Sequence, residues 1–407
     1  MGSAVSSVRG AIERLASIQR GSCSPGEHEA AEWLAARLRE VGAEARVERE
    51  RVHGTYWWPL GITSALGLAG AVLARRGRAR SGAALAALGT LAVFDDLDVG
   101  PRVLRRLLPK QVAANVVAET GDRDAALTLV FVSHHDAAHS GFFFNPAVAS
   151  ALARFTGLGS GGEGRFAPPP MAPIAAAPAF VALGAISGLR WLRLLGSLMC
   201  TGIIGSFIDM AVRSAVPGAN DNASGVATLL GVARRLSERP PEGVTVLCVS
   251  TGAEESLMEG MRAFAARHFA QLSPERTAVV CVDTVGSAHL VLAGAEGLLR
   301  VREYDAELSG LIAACADRLG VPLRRGGRMR FATDGYVALR HGLPAALLTS
   351  VNDAGTPSDY HWHTDTPDRL DYGQIEAAVA LCEELVRALS SESRAAPPAP
   401  QPSAAHP

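Results

Sequence analysis

Short polar clusters follow several apolar segments of this chain, and each cluster contains side chains that can bind metal ions. The first is SHHDA, in which His134 and Asp136 follow the apolar run LTLVFVS. An imidazole can ligate a metal while a nearby carboxylate steadies the ring. We therefore take His134 as a candidate ligand and Asp136 as its support, although a capped polar loop would produce the same cluster.

Three further clusters supply carboxylates. Asp221, in PGANDNASGVATLL, opens a predicted helix, where it either bridges two cations or caps the helix. Glu254 and Glu255 follow GVTVLCVS, and adjacent carboxylates repel unless a cation or proton lies between them. One glutamate could ligate a metal while the other is a general base, or both could mark a solvated helix start. Asp283 ends the apolar run TAVVCV, where an unpaired carboxylate is costly unless a cap satisfies it.

Two histidines, His361 and His363, lie in the polar loop DYHWHTDTPDRLD. Together the clusters supply imidazoles and carboxylates for a pair of metal ions bridged by one carboxylate, with one glutamate to spare. Imidazole and carboxylate donors without thiolates favour zinc, with cobalt or manganese as substitutes. The chain has no GxSxG, HExxH or Walker-type motif that would indicate another chemistry.

The segments around these clusters alternate between strand-like and helix-like patterns. Such alternation predicts an α/β fold, a three-layer αβα sandwich around a mostly parallel mixed sheet. In an open parallel sheet, ligands bind at the carboxyl ends of the strands. Since most of the polar clusters follow predicted strands, we expect them to converge there.

The motifs HxD, GAxDNxSG, AEE, a strand-ending Asp and YHxxxDTPD together resemble the two-zinc aminopeptidase family, which includes bacterial leucyl aminopeptidases and aminopeptidase Y. The resemblance covers residues 24–54, 111–136 and 217–390. It implies a single αβα domain with about eight strands, two zinc ions per chain, and a peptide or aminoacyl substrate. The M-twenty-type metallopeptidases are a second choice, because they usually carry a separate dimerisation domain and lack the DNxSG string.

The resemblance also implies a role for each site residue. His134 and Asp283 would hold one zinc, and Glu255 and His361 the other. Asp221 would bridge the two ions, and Glu254 would be the general base. A non-proline cis peptide bond is implied after Asp221, and His363 is an additional imidazole beside the site.

Two apolar insertions interrupt the peptidase pattern. The first contains the runs 55–74 and 81–94, and the second contains 171–188 and 191–212. Runs of 18 to 22 apolar residues approach the length of a membrane span, about 20 residues. Arg-rich turns join the runs of each pair, so we expect two helical hairpins. Because of the length of the runs, we expect the hairpins to associate with a membrane through residues 55–94 and 171–212. A self-packed cap on a cytoplasmic enzyme is the alternative.

These patterns predict a discontinuous peptidase domain with insertions and a tail. We assign residues 1–54, 111–156 and 217–390 to the peptidase, 55–110 and 157–216 to the insertions, and 391–407 to a disordered tail. The first twenty residues are typical of an amphipathic helix and not of a signal peptide.

Composition narrows the functional class. The formal net charge of −1 gives no electrostatic basis for binding nucleic acid. The six cysteines contain no CxxC pair, which argues against a disulfide framework. The sequence therefore predicts a zinc-dependent aminopeptidase, and the alternative is a non-catalytic, membrane-associated scaffold that keeps the fold.

Overall fold

An eight-stranded mixed sheet lies at the centre of the molecule, in a computed structural model that describes residues 7–97, 100–148 and 171–395. A second, three-stranded sheet lies beside it. The strands of both sheets, numbered in chain order, are β1 (Glu44–Val52), β2 (Gln111–Gly121), β3 (Leu127–His134), β4 (Val244–Thr251), β5 (Thr277–Val282), β6 (His289–Leu292), β7 (Ala295–Glu296), β8 (Arg302–Glu303), β9 (Arg324–Arg325), β10 (Arg328–Met329) and β11 (Ala345–Val351).

The order across the main sheet is β1-β2-β4-β3-β5-β11-β6-β9. Strands β4, β3, β5 and β11 are parallel, whereas β1 and β2 pair antiparallel with their neighbours. Strand β6 pairs antiparallel with β11 and parallel with β9. The small sheet has the order β10-β7-β8. The predicted α/β class and mostly parallel mixed sheet are therefore confirmed.

Helices cover both faces of the main sheet. In chain order, the α-helices of the described residues, including four that form the hairpins of the insertions, are α1 (Val8–Ala16), α2 (Pro25–Glu40), α3 (Trp57–Arg75), α4 (Ala79–Leu97), α5 (Val103–Leu107), α6 (Ala172–Ser187), α7 (Arg190–Val212), α8 (Gly225–Glu238), α9 (Glu259–His268), α10 (Ala306–Leu319), α11 (Asp334–Arg340) and α12 (Tyr372–Ala395). Helix α2 begins where the sequence predicts, because the Ser24 side chain accepts the Glu27 N–H at 3.1 Å and Pro25 follows at the first helical position.

Strand β3 explains the two-sided cover. Leu129 and Phe131 pack into one core, against helices such as α2 and α8, whereas Val130 and Val132 pack into the core on the opposite face. Successive side chains of a strand point to opposite faces, so a continuous apolar run needs a helical layer on each side. This burial also fixes the register that aligns the carboxyl ends of β3, β4 and β5.

The two insertions form helical hairpins that pack together as a four-helix bundle. Helix α3 packs on α4, α6 and α7, and α4 packs on α6. Ala74, Ala83 and Ala185 pack against one another, so both interhelical turns lie at the same end of the bundle, which we call the tip. At the other end, the base, Leu60 and Phe207 join the core of the α/β domain. Helices α3 and α7 are long and apolar enough to cross a membrane by length and composition.

Some predicted boundaries differ from the observed ones. The run 81–94 belongs to a longer helix, α4, which continues through Asp95 and Asp96 because the Arg105 guanidinium binds the Asp96 carboxylate. Helix α12 continues to Ala395, five residues into the segment predicted as a disordered tail. The Gly/Pro-rich stretch 157–170 and residues 396–407 lie outside the described part of the chain.

Candidate metal centre

Three central strands carry candidate ligands at their carboxyl ends. His134 is the last residue of β3, Asp283 directly follows β5, and Glu254 and Glu255 follow β4 by three and four positions. Strands β4, β3 and β5 are neighbours and parallel, so their carboxyl ends meet at one edge of the sheet. The sheet alone therefore brings four of the predicted site residues together.

Two loops complete the cluster. Asp221 lies in the kinked turn Ala219–Ser224 that precedes α8, and its peptide bond to Asn222 is cis, as the family resemblance implies. His361 lies in the loop after β11 with a positive φ of 53°. Ala253 and Thr284, beside the other ligand positions, also have positive φ. Such backbone conformations are uncommon outside glycine and cluster at functional sites.

The distances divide the cluster into two groups that share Asp221. In one group, His134 Nε2 lies 3.1 Å from Asp221 Oδ1 and 3.6 Å from Asp283 Oδ2. In the other, His361 Nε2 lies 3.2 Å from Asp221 Oδ2 and 3.2 Å from Glu255 Oε2. Candidate ligand atoms within each group lie within 4.8 Å of one another. The structure thus brings together all five residues predicted as metal ligands.

Glu254 lies beside the first group, with Oε2 4.0 Å from His134 Nε2. It lines a cavity of about 30 Å³ together with the five candidate ligands. The remaining walls include Thr284, Phe331, Ala332, Thr333, Pro357 and Tyr360. The side chain predicted as the general base is therefore in the same cavity as the ligands.

Asp136 lies behind the ligands and does not line the cavity. Its carboxylate accepts the backbone N–H groups of Glu254 and Glu255, each at 3.1 Å, and the Ser22 hydroxyl at 2.6 Å. It also lies 3.4 Å from His134 Nδ1. Because one carboxylate orients both His134 and the glutamate loop, Asp136 is a positioning residue that does not touch the reacting atoms.

Several buried residues to which the sequence patterns gave no role support the ligands. Asp365 accepts the backbone N–H groups of Asn220 and Asp221 at 2.7 and 3.0 Å. Glu27 accepts the Ala253 N–H at 3.0 Å. Arg20 donates to the Pro217 and Gly218 carbonyl oxygens. The DTPD motif could have indicated that Asp365 has a role in the site. In the sequence, Glu27 is indistinguishable from an ordinary acidic residue in the first turn of a helix.

Asp334 and His363 lie in surroundings that the sequence does not predict. Asp334, which no motif indicated, is buried, accepts a hydrogen bond from Thr251, and has its pKa raised to about 7 by burial. His363 is exposed beside Trp362 and is absent from the cavity wall. It therefore does not serve as a second imidazole in the site. Instead, Tyr360 stacks on the His361 ring with a centroid distance of 3.8 Å, and Phe144 contacts it edge-on at 4.5 Å.

The electrostatics of the cluster favour cation binding. Burial raises the pKa of Asp283 to about 8 and that of Glu254 well above its usual range. The neighbouring carboxylates act in the same direction, because like charges disfavour ionisation. Burial opposes protonation of His361, but Glu255 and Asp221 raise its pKa to about 10. Four carboxylates and two imidazoles line the cavity, so a bound cation would let the acids ionise at neutral pH.

The donor set fits zinc. Glu255 Oε1 and His361 Nδ1 are buried without a hydrogen-bond partner among the described residues. These two ligands of the second group therefore each retain one polar atom that no protein group satisfies. The ligand atoms are nitrogen and oxygen, and all six cysteines are free thiols elsewhere in the chain. Imidazole and carboxylate donors in groups of three are typical of catalytic zinc sites.

Comparisons with known proteins agree with the fold. Residues 203–386 match the model of peptidase family M28. The aminopeptidase from Aneurinibacillus sp. strain AM-1 is 16% identical, with a TM-score of 0.54 over 93% of this chain and 92% of that one. The LapA aminopeptidase of Legionella pneumophila is 13% identical, with a TM-score of 0.53 over 96% and 73%. The Tannerella forsythia glutaminyl cyclase is 14% identical, with a TM-score of 0.56 over 94% and 97%.

Proposed function

We propose that this chain, a member of peptidase family M28 through residues 203–386, is a two-zinc aminopeptidase that hydrolyses the N-terminal peptide bond of its substrate. The observation that carries the proposal is the position of Asp221. Its two carboxylate oxygens lie 3.1 and 3.2 Å from the Nε2 atoms of His134 and His361. A carboxylate between two imidazoles fits a pair of metal ions with one shared ligand.

The five ligands divide between the two ions. His134 and Asp283 would hold one ion, Glu255 and His361 the other, and Asp221 both. When bound, zinc supplies positive charge that lowers the pKa of a water molecule and polarises the scissile carbonyl. Asp136 and Asp365 hold the ligands in place through the Glu254–Glu255 and Asn220–Asp221 backbones, so the site is preorganised.

Glu254 has the position of a general base. Its backbone is fixed by Asp136, and its carboxylate lines the cavity without taking part in the two groups that share Asp221. It would accept the proton of the attacking water and deliver it to the leaving amine. A positioned base of this kind typically accelerates a reaction by about two to four powers of ten.

One feature supports removal of N-terminal residues in preference to cleavage within a chain. The cavity is small, about 30 Å³, and Phe331, Pro357 and Tyr360 close its sides. A chain terminus fits such a space more readily than the middle of an extended peptide.

Cyclisation of a glutaminyl residue is a second candidate, because solved glutaminyl cyclases share the fold. That reaction uses a nitrogen of the substrate as nucleophile and needs no water activated between two metal ions. The shared position of Asp221 therefore favours hydrolysis. The third possibility, a non-catalytic scaffold, is opposed by the presence of all five ligands and the base in one cavity.

An assay of metal content and activity together tests the proposal. We expect purified protein to bind about two zinc ions per chain and to release the first residue from peptides with a free amino terminus. N-acetylated copies of the same peptides should not be cleaved. Chelation should abolish the activity, and added zinc should restore it.

Matched variants make the assay specific. Asp221→Asn should lower both metal content and turnover, whereas Asp353→Asn, an exposed carboxylate that pairs with His289, should change neither. Release of ammonia from N-terminal glutamine peptides without hydrolysis would replace the proposal with cyclisation. Full hydrolysis by a metal-free sample would overturn it.

A further inference from the structure

The four-helix bundle carries large apolar side chains on its outer surface. Ile186, Leu194 and Leu198 are 76%, 62% and 62% exposed, and they lie on the second hairpin. Leu88 and Leu91 are exposed in the same way on the first. Only 22% of the most apolar 18-residue stretch of α7 is buried. An apolar surface of this kind, continued over both hairpins, marks an interaction site and is rare on a soluble monomer.

The interior of the bundle contains small residues. A Cβ added to Gly70 would lie 2.5 Å from the Gly82 carbonyl oxygen, and one added to Gly196 would lie 2.6 Å from the Ala177 oxygen. The helices therefore approach one another backbone to backbone. Water-soluble bundles place their large apolar residues inside, whereas close contacts between small residues are typical of helices that pack in lipid.

The two ends of the bundle differ in charge. The turns at the tip carry Arg75, Arg76, Arg78, Arg80, Arg190 and Arg193. No acidic residue lies within either turn, so the tip is strongly cationic and complements anionic lipid headgroups. Trp191 is exposed at the same end. At the base, Tyr56, Trp57 and the exposed Trp58 begin α3, so aromatic side chains mark both ends, as they do at the two interfaces of a membrane protein.

The apolar length of the bundle is close to that of a bilayer core. Fourteen uncharged residues separate Arg80 from Asp95 in α4, and fifteen separate Arg193 from Asp209 in α7. At a rise of 1.5 Å per residue these stretches are about 21–23 Å long. A hydrocarbon core of about 30 Å can thin locally, and long arginine stems reach to the headgroups, which accommodates the difference.

We infer that the bundle is inserted in a lipid bilayer, with the arginine tip at one interface and the aromatic base at the other. The base lies against the metal centre. Tyr56 donates a hydrogen bond to Met210 Sδ at 3.1 Å, and the Asp209 carboxylate accepts the Phe142 N–H at 2.6 Å. Phe144, two residues later, contacts the ligand His361. The insertion therefore holds the catalytic cavity at the membrane surface, whatever reaction the cavity performs.

Flotation of the full-length protein with vesicles tests the inference. Protein purified in detergent is mixed with vesicles of three parts phosphatidylcholine and one part phosphatidylglycerol, the detergent is removed, and the sample is centrifuged in a density gradient. We expect the protein to float with the vesicles and to remain bound after washes with 1 M salt and with alkaline carbonate (salt alone releases proteins held only by charge).

A matched pair of variants links flotation to the outer face. Leu88→Glu, Ile186→Glu and Leu198→Glu combined should reduce the vesicle-bound fraction at least tenfold, with bound zinc unchanged as evidence of folding. Leu319→Glu replaces an exposed leucine at the end of α10, 41% exposed, and should float like the wild type. Recovery of wild-type protein at the bottom of the gradient overturns the inference. If that fraction is a dimer that the triple variant converts to monomer, a second copy of the chain covers the surface.

Discussion

The α/β domain and the four-helix bundle bury different kinds of side chain. In the domain, large apolar residues such as Leu129 and Phe131 are fully buried. In the bundle, glycine and alanine occupy the interior, and leucine and isoleucine face outward. The interior of the domain therefore contains large apolar side chains, whereas that of the bundle contains small ones. This difference is consistent with our inference that water surrounds the domain and lipid surrounds the bundle.

The largest expected effect concerns catalysis, which we propose for the α/β domain. Glu254→Ala should reduce kcat by about two to four powers of ten, or roughly 3–5 kcal/mol of barrier, because proton transfer stabilises only the transition state. Its zinc content should stay at about two ions. Glu255→Ala should instead bind about one ion. If Glu254→Ala remained active while Glu255→Ala kept both ions, the two roles would have been assigned incorrectly.

The second prediction concerns the junction of the two regions. Arg105 is buried and binds Asp96 at 2.6 Å, Glu259 at 3.1 Å and the Ser256 carbonyl oxygen at 2.8 Å, so it connects α4 with the segment that follows Glu254 and Glu255. Arg105→Met should lower the free energy of unfolding by about 3–5 kcal/mol, since it leaves buried carboxylates unpaired. Chemical denaturation measures this loss. Arg106→Met, one position along, is the control and should cost less than about 1 kcal/mol.

The same junction predicts a pH dependence. Burial alone would raise the pKa of Asp96, but the Arg105 guanidinium holds it below its usual range. A depressed pKa in the folded state contributes stability above the unfolded value, near 4, and that contribution is lost as pH falls through the folded value. Unfolding measured between pH 6 and pH 3 should show this acid loss. Equal pH dependence in Asp96→Asn would refute the contribution of this pair.

The third prediction compares one leucine from each region. Leu129→Ala should destabilise the protein by about 2–5 kcal/mol, because it opens a cavity in a packed core. Leu198→Ala removes the same atoms from an outward face and should change the free energy of unfolding by about 0.5 kcal/mol or less. Similar losses at both positions would mean that the outer face of α7 packs against protein.

The smallest effect is expected inside the bundle. Gly196→Ala places a methyl group 2.6 Å from the Ala177 carbonyl oxygen, so α6 and α7 must separate slightly. Overpacking of this kind costs about 1–3 kcal/mol. Gly202 in the same helix has nothing within 4 Å of an added Cβ, and Gly202→Ala should be neutral or slightly stabilising. Thermal unfolding in one detergent compares the two variants, and equal midpoints would contradict the close packing.

Sequence patterns predicted the central strands well, because runs such as LTLVFVS are too apolar and too short for any other buried element. They predicted four of the five ligands because each follows such a strand or opens a helix, whereas His361 was identified from the polar loop that precedes the last helix. They did not predict the small sheet, whose strands are two residues long, or Asp334 and Arg20, whose roles depend on contacts with distant segments. His363 was placed near the site because of its neighbours in sequence, but the positive φ at His361 turns the loop so that His363 faces solvent.

The positions of the ligands along the chain have a consequence for biosynthesis. Helix α7 ends at Val212, whereas the last ligand, His361, comes 149 residues later. At about 5–20 residues per second, the ribosome needs roughly 7–30 s to make that segment. Both apolar hairpins are therefore complete, and free to reach a bilayer, before the second metal site has all its ligands. If both proposals hold, the chain reaches the membrane before it can hydrolyse a peptide.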